Sequence, residues 1–211
     1  MKLRTHLAVA AMLLTFGFAS AEASPISFDY NFEPAADVLI NVNGGVCSGN
    51  TATGAVTGQE HHSCESLAFA YLLDGYNPAI DTLTSASLTL TFYDDNTPGP
   101  DVTGFAETVN ITLDGALSSN SPVQVATGSG SGNPFLTPAF DVTALLQSDG
   151  QLTVFLSRPG NGGGNNDFYF ANARLLADGV RDEAELSVPE PVTLGLLGAG
   201  LVAVTVRRRR R

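Results

Sequence analysis

The residues best placed to do chemistry are oxygen donors crowded at one predicted strand end: Asp94, Asp95 and Asn96, then Asp101 beyond a Pro98-Gly99-Pro100 turn. A loop of this kind suits calcium, a hard cation that takes roughly six to eight oxygen ligands. The spacing is not that of an EF-hand, and an Asp/Asn-rich turn that merely ends a strand accounts for the same residues. Glu107, Asp114, Asp74 and Asp81 complete such a site only if the fold brings them near. Cys47 and Cys64 are the only cysteines. In an exported chain two cysteines are expected to pair, and closing a loop of this size stabilises a fold by roughly 3 kcal/mol. The alternative is a metal pair with His61 and His62, but in an extended segment these adjacent side chains point to opposite faces.

Signatures of catalysis are scarce. Residues 24–188 hold two adjacent histidines and no lysine, and they show no nucleophile elbow, HExxH helix, P-loop or complete GxGxxG. The glycines of 160–164 lack the following Lys and Ser/Thr of a phosphate site and fall where a hairpin loop belongs. A glycan hydrolase needs only two facing carboxylates, and nothing in the sequence singles out a pair. Tyr76, Tyr93 and Tyr169 form a sugar-stacking platform only if one sheet face collects all three; scattered tyrosines otherwise belong to the rim of a core. Asn110-Ile111-Thr112 matches a glycosylation acceptor but lies inside a predicted strand. Residues 24–188 carry nineteen Asp and Glu against three Arg (Arg158, Arg174 and Arg181), a net of −16. Such a surface excludes nucleic acid, which requires cations facing phosphates, and leaves room for a divalent cation.

Both ends differ in kind from this acidic body. Lys2 and Arg4, an apolar run over 7–18, and small residues through Ala19, Ala21 and Ala23 predict a secretory signal peptide over 1–23. The run is too short for a permanent N-terminal anchor. At the other end, Pro189-Glu190-Pro191 stops any regular element arriving from the body. Residues 192–206 are uncharged and predict an apolar helix, followed by Arg207, Arg208, Arg209, Arg210 and Arg211. The arginines orient the helix with its C-terminus in the cytoplasm. Fifteen residues reach only about 22 Å against roughly 30 Å of hydrocarbon, so the span fits a transient stop better than a permanent anchor.

Val188-Pro189-Glu190-Pro191, Leu196-Leu197-Gly198 and the terminal arginines together resemble the PEP-CTERM sorting tail, in order and in spacing. The resemblance covers about a tenth of the chain. It implies export through the Sec translocon in a Gram-negative bacterium, often one making exopolysaccharide, and recognition of the tail by an exosortase-type membrane enzyme. The body is also similar to β-sandwich domains of such surface proteins, over 74–95 and 140–146. The tail lends no catalytic residue. The expectation is a non-enzymatic surface or matrix protein, associated with exopolysaccharide; the alternatives are a calcium-dependent carbohydrate-binding module and a glycan hydrolase.

The elements that must position these residues read as strands. Ile26, Phe28, Tyr30 and Phe32 alternate with polar neighbours, as do Leu88, Leu90 and Phe92; Val109, Ile111 and Leu113; and Leu152, Val154 and Leu156, the last with Phe155 on the outer face. Phe168 and Phe170 open a last strand that runs towards Leu176, and weaker strands are expected over 38–42, 66–73 and 123–126. Turn-rich clusters separate them at 43–58, 94–101, 128–134 and 158–166, with one short helix over 141–147 capped by Asp141 or Thr143. The pattern predicts an all-β domain over 24–187, an antiparallel β-sandwich of jelly-roll type, with a sorting tail over 188–211.

Overall fold

A computed structural model of the protein describes residues 23–58 (the side chains of 42–44 excepted), 63–94, 107–125, 129, 133–159 and 167–182. The predicted signal peptide, the helix over 192–206 and the sorting motif lie outside the described residues. Among the described residues no helix is long and apolar enough to cross a membrane. One compact unit comprises Pro25–Arg181; the other, Met1–Ser24 with Asp182–Arg211, lies almost wholly outside the described residues.

The strands are β1 (Ser24–Phe32), β2 (Val38–Asn50), β3 (Ala55–Thr57), β4 (Ser63–Leu72), β5 (Asp81–Asp94) and β6 (Thr108–Leu113). They continue with β7 (Ala116–Leu117), β8 (Val123–Gln124), β9 (Phe135–Leu136), β10 (Phe140–Asp141), β11 (Gln151–Ser157) and β12 (Phe168–Arg181), with one helix, α1 (Thr143–Gln147), before β11. Period-two alternation places the predicted apolar residues inward. In β6, Val109, Ile111 and Leu113 are buried between half-exposed polar neighbours, and β11 buries Leu152, Val154 and Leu156 in the same way.

The all-β expectation holds, but the strands form one open mixed sheet and are not wholly antiparallel. The strands bond into one open sheet in the order β10-β5-β12-β2-β4-β11-β6-β7, with β1 added to β12. Within it β2 and β4 run parallel. This single ladder does not establish jelly-roll connectivity. The sheet turns back on itself across β2, so that β4 comes to lie against β12. The Tyr71 hydroxyl of β4 donates to the Ala173 carbonyl of β12 at 2.6 Å, and the Phe69 and Phe170 rings are 5.6 Å apart. Phe32 joins them, 4.6 Å from Phe69 and 5.7 Å from Phe170, and the three form the centre of the core. Burial pushes the Tyr71 hydroxyl far above the usual tyrosine range.

Two local departures from the sequence reading have physical causes. The cluster over 43–58 was expected to be a loop, yet β2 runs through it to Asn50 and β3 pairs back onto it. Gly49 lets it pack there: a Cβ at that position would lie 2.4 Å from Cζ of the buried Phe32 ring. In β12, bulges shift the register between Phe170 and Asn172 and between Asp178 and Gly179. The first reverses the parity of the strand, so Ala173, Leu175 and Ala177 face inward and Leu176 is 38% exposed. At the second, Gly179 leaves room that a Cβ would lack, since it would meet the Thr82 carbonyl oxygen at 2.4 Å.

The short helix forms where expected, and its cap is one residue off. Val142 occupies the N-cap position without a side-chain bond, while the Asp141 carboxylate accepts both the Thr143 amide (3.0 Å) and the Thr143 hydroxyl (2.7 Å).

Candidate functional site

The end of β12 precedes the sorting tail in the sequence, and an ion pair and several hydrogen bonds meet there. Arg181, the last residue of the strand, pairs in register with Asp81, the first residue of β5. Its guanidinium makes two bonds of 2.7 Å to the Asp81 carboxylate and a third of 2.7 Å to the Gly75 carbonyl. The Asn77 amide donates to the same carboxylate at 2.7 Å. The Asp81 side chain is fully enclosed, whereas that of Arg181 is 35% exposed. Bonding to Arg181 holds the Asp81 carboxyl below the usual range against the opposing effect of burial, and the Asn77 amide assists.

A second set of bonds surrounds this ion pair. The Gln147 side chain accepts from the Leu83 amide at 2.6 Å and donates to the Asp81 carbonyl at 3.1 Å, joining the end of α1 to the start of β5. The Tyr76 hydroxyl donates to the Gln147 carbonyl at 3.0 Å. Burial, and then the negative charge of Asp81, raise its pKa. Sequence patterning offers Asp81 only as an auxiliary calcium ligand, not as the partner of Arg181. In a body this acidic with three arginines, an arginine is the position at which a paired carboxylate is to be expected. Arg174 supports this, binding Asp29 of β1 through two bonds of 3.0 and 2.8 Å and lowering the Asp29 pKa.

Among the candidate calcium ligands only Asp94 is described; Asp95, Asn96 and Asp101 lie outside the described residues. The Asp94 amide donates to the Ser129 hydroxyl at 3.0 Å. The four auxiliary carboxylates do not converge on it as a set. Asp81 begins the strand that Asp94 ends, about 40 Å away along an extended strand. Asp114 accepts the Thr153 amide at 2.7 Å, and Asp74 sits in the turn beside Gly75, whose carbonyl binds Arg181. Among the described residues no group of three or more His, Cys, Asp or Glu could hold a metal ion.

Cys47 and Cys64 form the expected disulfide, with Cα atoms 5.7 Å apart, and it fastens β2 to its parallel neighbour β4. His61 and His62 lie outside the described residues. The three tyrosines do not come together in one platform. Tyr93 and Tyr169 stack on each other across β5 and β12, with centroids 4.8 Å apart, and Tyr93 donates to Asp37 at 2.5 Å. Burial, then the Asp37 bond, push the Tyr93 hydroxyl well up. Tyr76 lies at the other end of β5, edge-on to Phe28.

Among the described residues the last strand ends at Arg181, and the Pro189-Glu190-Pro191 segment follows it in the sequence. Residues 187–211 match the family described as the PEP-CTERM protein-sorting motif. The chain therefore carries the sorting signal of an exosortase substrate, and such a signal marks an exported protein anchored or processed at the membrane. No curated protein matches the chain. Among solved structures, dimeric latent PorU from Porphyromonas gingivalis is similar at a TM-score of 0.38 and 9% identity, over 79% of this chain and 14% of that one. The chain thus spans about one seventh of that protein, and the likeness has no bearing on fold or function.

Proposed function

We propose that this protein is a non-enzymatic component of the cell surface or extracellular matrix, delivered by its C-terminal tail and associated with exopolysaccharide. The observation that supports this most is the sorting motif over 187–211, which begins six residues beyond the last strand of the folded body. Most described carboxylates with assigned partners serve the fold. Asp29 and Asp81 bind arginines, Asp114 and Asp149 accept backbone amides, and Asp37 and Asp141 accept side-chain hydroxyls. No specific contact among the described residues favours a calcium-dependent sugar module or a hydrolase. The acidic body suits a soluble module displayed outside the cell, where net charge opposes self-association. Deleting residues 189–211 should release the body into the periplasm or medium, as measured by fractionation and immunoblot. Unchanged retention at the surface would refute the reading.

A further inference from the structure

The outward side of the sheet is not uniform in charge. Over β1 and β12 it carries Asp29, Arg174 and Asp178, all exposed. Around β11 it is different. The outward residues of β11 alternate with its buried Leu152, Val154 and Leu156, and neither they nor the residues paired with them on β4 and β6 are charged. Charges begin at the rim of this face, with Asp114 in the turn after β6, where it accepts the Thr153 amide, and with Glu65 beside Ser66 on β4. A body of net −16 over residues 24–188 thus presents one tract without charge.

Register draws a continuous row across this tract. Ser48 of β2 is paired with Ala68 of β4, Ala68 with Phe155 of β11, Phe155 with Thr112 of β6, and Thr112 with Leu117 of β7. Residues paired in this way share a face, so the row crosses five strands and runs about 19 Å at a strand spacing of about 4.8 Å. Phe155 stands at its centre, half-exposed, and belongs neither to the buried core nor to the residues packed on it. Leu117 is exposed at the far end. Thr112 beside Phe155, and Asn110 and Ser157 in the next outward pair, make no side-chain hydrogen bond among the described residues. Hydroxyls on β5 are engaged instead: Thr91 donates to Asn172, and Thr84 to the Asp178 carbonyl.

We propose that this face binds a neutral polysaccharide lying along the row, with a sugar ring stacked on Phe155 and its hydroxyls bonded to Thr112, Asn110 and Ser157. The inference rests on the exopolysaccharide association proposed above, and it names the face and the class of polymer. A neutral sugar ring has an apolar C–H face and a rim of hydroxyls that both donate and accept. Phe155 matches the first, and the unbonded hydroxyl and amide side chains match the second by exchanging water for sugar. An acidic polysaccharide would meet the negative field of the whole body with no cation on this face to offset it. The same field opposes a second copy of the chain here.

The test uses the full chain, purified in detergent, and polysaccharide extracted from the producing cells and divided by anion exchange into neutral and acidic pools. In native affinity electrophoresis the neutral pool should retard the protein and the acidic pool should not. Phe155→Ala should weaken the retardation roughly tenfold. Leu117→Asp, at an exposed edge position that leaves the fold intact, should weaken it too, whereas Leu176→Asp on the outward side of β12 should leave it unchanged. If Phe155→Ala fails to fold, Leu117→Asp decides alone. Retardation by the neutral pool that both variants keep, or retardation by the acidic pool alone, would overturn the inference and leave the exopolysaccharide association standing. No retardation by either pool would refute that association and the inference with it. A dimer in analytical ultracentrifugation that Leu117→Asp dissociates would give the face to a second copy and overturn the inference.

Discussion

Replacing Arg181 by alanine strands the Asp81 carboxylate in a site that gives its side chain no exposure to water, where the Asn77 amide still donates to it. Breaking a buried ion pair from one side costs about 3–5 kcal/mol, because the surviving charge keeps its desolvation penalty. Arg181 is 35% exposed and its loss opens a path for water, so the lower end, about 3 kcal/mol, is expected. The pH dependence follows from the two protonation equilibria. In the natural protein the folded pKa of Asp81 lies below its unfolded value, about 3.9, so its contribution is present above that pH and is lost as pH falls through the folded value. Without Arg181, burial dominates and the folded pKa rises above the unfolded one. The penalty is then complete above the raised pKa and is relieved as pH falls. The gap between the two proteins should therefore narrow from pH 7 to pH 4. Urea unfolding followed by far-UV circular dichroism and tyrosine fluorescence suits a chain with no tryptophan. Asp81→Asn combined with Arg181→Ala should recover part of the loss, since no buried charge remains. A loss below about 1 kcal/mol at neutral pH, or a gap that does not narrow in acid, would refute this reasoning.

Replacing Cys47 and Cys64 together by serine should lower stability by about 3 kcal/mol in urea unfolding, with a larger m-value because the unfolded chain is no longer cross-linked. Gly49→Ala should cost about 1–3 kcal/mol, because the Phe32 ring in its path is fully buried and cannot swing aside; a melting temperature within a degree of the natural protein would refute this.

Alternation made the inward faces of β6 and β11 legible in the sequence, because the pleat has a fixed period of two and their outward neighbours are polar except Phe155. The same rule lost its phase in β12, where an unpaired residue between Phe170 and Asn172 exchanges the inner and outer sets. It also gave no account of β2 beyond Val42, since the glycine-rich run there reads as a turn until the Phe32 ring is seen to need Gly49. The candidate calcium ligands illustrate a further limit. Crowding in sequence identified a loop, but only pairing could show that Asp81 stands at the far end of the strand from Asp94 and is held by Arg181.

The sequence by itself determined the address of this protein, because a sorting tail is read as a linear string of proline, apolar and arginine residues. It determined the pairing of Cys47 with Cys64 as well, since an exported chain with two cysteines leaves one disulfide to form. The tertiary structure decided which strand carries the tail. That strand is the one that joins β5 to the rest of the sheet, and it is locked at its last residue by a carboxylate one hundred positions earlier. Hydrogen-bond pairing between strands distant in the chain has no signature in local composition, so it is decided only when the sheet forms.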